Sequence, residues 1–77
     1  MEVGARVRWV NQLGRECAGE IYEVVPARTF PAADVTATKY RKERSYVVLI
    51  PDPRPLHATR LVWPPNRLLH TMEVIDG

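Results

Sequence analysis

Cysteine is almost missing from this chain. Cys17 stands alone among 77 residues, which excludes an internal disulfide and any zinc site built on several cysteines. Histidine is scarce too. His57 and His70 have no carboxylate at ligand spacing, so no metal site is expected. The glycines Gly4, Gly14, Gly19 and Gly77 are isolated, so no glycine-rich loop can cradle a phosphate. No apolar run approaches the roughly 20 residues of a membrane-spanning helix, and no membrane partner is expected. Met1-Glu2-Val3-Gly4 shows no signal-peptide pattern, and with the lone cysteine this gives the expectation of a cytoplasmic protein. Internal repeats, low-complexity tracts and long helical periodicity are absent.

What remains is an ordinary globular composition, 45% hydrophobic and 26% charged. The length suits one domain over residues 1–77. A chain of this size buries only about 60% of its unfolded surface. Ordering costs roughly 1.5 kcal/mol per residue, so a minimal core barely offsets it. A protein partner or homo-oligomer would add stability. A self-sufficient enzyme with a deep pocket is not expected, nor any cofactor.

Charge is unevenly placed. The net charge is +2, yet Lys39-Tyr40-Arg41-Lys42-Glu43-Arg44 alone carries a net +3. Nine of the eleven basic residues are arginine, which suits forked contact with phosphate or carboxylate and stacking on aromatic rings. A solvated loop is the plain alternative.

Short alternating segments punctuated by Pro, Gly and Asn predict an all-β fold. A first strand near 4–10 alternates apolar Val3, Ala5, Val7 and Trp9 with Gly4, Arg6 and Arg8. Asn11 to Arg15 reads as a turn. A second strand spans 17–25, with Gly19 marking a bulge or sharp coil. A long connection follows over 26–43, a length usually functional or mobile. Ser45 to Ile50 forms the strongest strand, within 44–50. It is apolar on both parities, which predicts burial on both faces or a face covered by a partner. Pro51, Pro53 and Pro55 exclude a central strand there. Strands near 58–63 and 69–75 close the set, with a tight turn at Pro64-Pro65-Asn66-Arg67. Val7, Ile21, Val47, Leu49 and Val62 are the predicted core. This is the outline of a five-stranded SH3-like barrel with a long loop between strands 2 and 3. A five-stranded barrel of the OB type is the topological competitor.

The pattern Gly4-x-x-Val7-x-Trp9, Gly14, then Gly19-Glu20-Ile21-x-x-Val24 resembles the opening of KOW- and Tudor-type SH3-like barrels. Tyr46-Val47-Val48, Leu61-Val62-Trp63-Pro64 and Leu68 resemble their later strands and terminal turn. The likeness covers most of the chain outside 26–43 and 51–57. It implies a binding role, toward RNA or DNA in KOW-like members and toward peptides in Tudor- and SH3-like ones. Gly4-Ala5-Arg6-Val7-Arg8 and Leu61-Val62-Trp63-Pro64 are also similar in outline to plasmid-encoded type II dihydrofolate reductases. Where that family has glutamine and tyrosine, this chain has Leu61 and Trp63, so no catalytic residue carries over.

Nucleophilic catalysis needs a nucleophile with a base in reach, and Cys17 on an apolar strand face is better read as a small core residue. Glu20 and Glu23 differ in strand parity and would face opposite sides unless a bulge intervenes. The expectation is therefore a non-enzymatic binding module. Arg6, Arg8, Lys39, Arg41, Lys42 and Arg44 are the candidate phosphate contacts, with Tyr40 among them to stack a base. Tyr22, Tyr46 and Trp63 form a candidate aromatic surface. The alternative is a protein-interaction or self-assembling adaptor barrel.

Overall fold

The structure, a computed structural model, describes residues 1–51 and 59–76. Five antiparallel strands form one sheet: β1 Arg6–Val10, β2 Glu16–Val25, β3 Ser45–Pro51, β4 Thr59–Val62 and β5 Glu73–Asp76. A 3₁₀ helix, Asn66–Thr71, precedes β5. The spatial order is β4-β3-β2-β1-β5. The all-β expectation holds, and each expected strand has its counterpart, but the fifth begins late: 69–71, expected in the strand, belong to the 3₁₀ helix, and β5 starts at Glu73. The sheet is open, because β4 and β5 are its two edges and no ladder joins them. Of the proline-rich segment, 52–58 lies outside the described residues, as does His57.

Local chemistry explains the turns. The Asn11 side-chain oxygen accepts the N–H groups of Leu13 and Arg15, and Gly14 donates to the Asn11 carbonyl. Gly14 sits at φ +77°, a conformation open to glycine at little cost. Gly4 and Ala5 exchange hydrogen bonds with Ile21, so the chain is tied to β2 before β1 formally begins. Thr71 joins the 3₁₀ helix to the sheet: its hydroxyl accepts Val10 N–H and donates to the Leu68 carbonyl.

β2 is the organising strand. Its first half pairs with β1 from Glu16 to Glu20, and its second half pairs with β3 from Glu20 to Val25. The handover falls beside Gly19. A Cβ there would lie 2.5 Å from the Leu49 carbonyl oxygen and 2.7 Å from Val48 Cγ1. Gly19 therefore allows a close strand crossing. The bulge itself lies further on, between Ile21 and Glu23, with Tyr22 as the additional residue.

That bulge resets the faces. Ile21 stands opposite Val48 on the inner face, where Ala5, Val7, Trp9 and Met72 complete the core. After the bulge Glu23 stands opposite Val47 and Val25 opposite Ser45, on the outer face. Val25, Ser45 and Val47 are nevertheless fully buried. β3 is thus buried on both faces, as its sequence predicts. The outer face near Ser45 is met by this chain itself: the Glu23 carboxylate accepts the N–H groups of Ala32 and Ala33, at 2.9 Å or less, and Ser45 Oγ accepts Trp63 Nε1–H at 2.8 Å. Two predicted core residues shift. Leu49 and Val62 are half-buried, while Val48 carries the central role on β3. Leu49 falls on the outer parity, and Val62 lies on the edge strand.

Candidate nucleic-acid interface

The long connection between β2 and β3 has no regular structure but is pinned at several points. Beyond the Glu23 contacts, Arg28 N–H donates to the Arg41 carbonyl at 2.7 Å. Arg28 has φ +60°, in the left-handed region, where a side chain costs energy. Residues 26–44 hold five basic and two acidic residues, a net +3 that exceeds the +2 of the whole chain.

Arg41 differs from its neighbours. Its guanidinium stacks 3.7 Å from the centre of the Trp63 ring and donates to the carbonyls of Pro64 and Trp63. It also donates to Asn66 Oδ1 at 3.1 Å, while Asn66 Nδ2 donates to the Arg44 carbonyl. Partial burial lowers its pKa, and arginine still stays charged at any physiological pH. Planarity and a fixed fork of donors suit this role. Arg41 is an anchor that fastens the connection to the chain leaving β4. Trp63 is held by the same device, stacked under Arg41 and bonded to Ser45.

Around this anchor, Lys39, Tyr40, Lys42 and Arg44 are exposed. The connection brings in residues that sequence reasoning left out. Phe30 packs edge-to-face on Tyr40 with ring centres 5.9 Å apart, and both rings are about half exposed. Arg28 is exposed beside the Arg41 backbone. Tyr22, exposed at the bulge, lines a small recess with Ala32 and Ala33. Nothing in the sequence pairs Phe30 with Tyr40, because nine intervening positions in a loop carry no periodicity.

The other candidates are placed differently. Arg6 and Arg8 project from the exposed face of β1, but acids interleave there. Arg8 bonds Glu73 and lies 3.9 Å from Glu16, and Arg6 stands opposite Glu20 in the β1–β2 ladder. They do not extend the basic surface as a continuous path. Tyr46 turns inward and packs against the core. Glu20 and Glu23, which parity alone separates, share a face because the bulge intervenes, with no acid–base partner between them. Cys17 is half-buried against the core, and His70 is exposed on the 3₁₀ helix.

The arrangement can attract phosphate through exposed cations and offer half-exposed aromatic rings to unpaired bases. Among the described residues no three His, Cys, Asp or Glu side chains cluster as a metal site requires. No helix of the described residues is long and apolar enough to cross a membrane. No protein-family model matches the chain, and neither a curated protein nor a solved structure matches it significantly.

Proposed function

We propose that this chain is a small, non-enzymatic binding module with an SH3-like barrel plan that contacts single-stranded nucleic acid. The strand order, with a 3₁₀ turn directly before a last strand that pairs with the first, supports the architectural part. The functional part rests on one observation: a pinned connection that presents Lys39, Lys42, Arg44 and Arg28 around the exposed Phe30–Tyr40 pair. Cations neutralise backbone phosphates, and aromatic rings accept bases of any sequence. Arg41 holds the surface in place and makes no phosphate contact. Sequence preference is slight, because no element presents side chains to a duplex groove.

Fluorescence anisotropy with short single- and double-stranded oligonucleotides tests this. Replacing Lys39, Lys42 and Arg44 by alanine should weaken binding equally for all sequences. Loss of three phosphate contacts should flatten the log–log salt slope by about 2 for a single strand. Absence of binding at micromolar protein in low salt would remove the reading. The protein-interaction reading then gains, since the open edge strand β5 leaves Val74 and Ile75 half exposed, an adhesive edge for a second copy.

A further inference from the structure

An open groove of about 350 Å³ borders the Trp63–Pro64 stretch to which Arg41 fastens the basic connection. That volume is within the usual range of ligand sites, about 300–1,000 Å³. Its walls come from the β1–β2 turn, the ends of β3 and β4, and the start of the 3₁₀ helix. Cys17, Ile50, Val62 and Leu68, all half-buried, supply apolar surface. Asn11 and Gln12 add amide groups at one side, and among the described residues lining it Arg60 is the one that is charged.

The groove is more aliphatic than aromatic. Stacking needs an open aromatic face. Trp9 is 4% exposed and offers none, and Arg41 takes one face of the Trp63 ring, which leaves the groove a single aromatic face at most. Aliphatic walls instead suit aliphatic side chains. The Gln12 amide can meet a donor and an acceptor of an extended backbone, and Asn11 adds its Nδ2 donor, its Oδ1 being committed to the turn. A single cation selects a partner of opposite charge and suppresses basic ones.

The geometry points to this groove as a docking site for an extended segment of an acidic protein, one apolar side chain on its aliphatic wall and a carboxylate against Arg60. None of Arg28, Lys39, Tyr40, Lys42 and Arg44 lines it, so the two contacts use different side chains.

The test uses two fluorescein-labelled, terminally capped octapeptides of leucine and proline, one bearing glutamates and the other lysines at the same positions. The glutamate peptide should bind at least tenfold more tightly. Arg60→Glu should reverse that order. Leu13→Asp, at a groove residue 78% exposed and therefore harmless to folding, should weaken the glutamate peptide several-fold. Occupancy should slow iodoacetamide alkylation of Cys17, the only thiol. Alanine at Lys39, Lys42 and Arg44 should leave peptide binding unchanged, so failure of the groove and failure of the nucleic-acid surface are distinguishable. Equal or absent binding of the two peptides would overturn the inference. So would loss of peptide binding in the triple alanine variant, or protection of Cys17 by oligothymidylate in place of peptide.

Discussion

Replacing Arg41 by lysine keeps the charge and removes the shape. If Arg41 served as one more phosphate contact, that exchange would leave stability untouched and binding nearly so. The structure gives it a different task. Its guanidinium makes hydrogen bonds to three acceptors, Pro64 O, Trp63 O and Asn66 Oδ1, while lying flat on the Trp63 ring. Net contributions run to about 1.5–3 kcal/mol for a hydrogen bond to a charged group and about 0.5–2 kcal/mol for the stack. Lysine can keep one of the hydrogen bonds but cannot reproduce the fork. Half-exposure and non-additivity reduce the sum, so Arg41→Lys should cost about 2–4 kcal/mol. For a domain this small, that lowers the melting temperature by at least about 10 °C. Thermal and urea denaturation, followed by circular dichroism and tryptophan fluorescence, measure it. A wild-type midpoint for Arg41→Lys would refute the anchoring role. A loss of oligonucleotide affinity without a loss of stability would refute it as well.

Gly19→Ala should destabilise by about 1–3 kcal/mol, the usual cost of overpacking, because the new methyl meets the Leu49 carbonyl and Val48; denaturant titration reads it. Glu23→Ala removes the acceptor of two backbone N–H groups, costing about 1–2 kcal/mol. Hydrogen exchange at Ala32 and Ala33 should accelerate while β1 amides keep their protection. Val48→Ala, at a fully buried site, should cost about 1–3 kcal/mol and more than Leu49→Ala at its half-buried neighbour. Urea midpoints of the pair decide the ranking.

Alternation made the strands legible. Val7 and Trp9 against Arg6 and Arg8 placed β1, and the unbroken Tyr46–Ile50 run placed β3 together with its double burial. The bulge at Tyr22 was not legible in position, since Gly19 is the only breaker in that strand. Shifting the parity there moved Glu23 and Val25 to the outer face, while on β3 Val48 rather than Leu49 stands opposite Ile21 in the core. The basic segment 39–44 was legible as charge alone. Composition cannot tell an exposed lysine from an arginine committed to a neighbouring ring, so Arg41 and Arg44 read alike. Their difference rests on Trp63 and Asn66, more than twenty positions away, and long-range pairing leaves no local pattern. Arg6 and Arg8 likewise read as a basic face until β2 and β5 brought Glu16, Glu20 and Glu73 alongside.

The proposed nucleic-acid contact lies on the pinned connection and not on the β1 face. A nitrogen-15 amide NMR titration with oligothymidylate tests it directly. Signals of Arg28, Phe30, Lys39, Tyr40, Lys42 and Arg44 should shift together with oligonucleotide concentration. Signals of Arg6, Arg8 and Glu73 should stay in place. Shifts centred on β1 and β5, or no shifts at low salt, would contradict it.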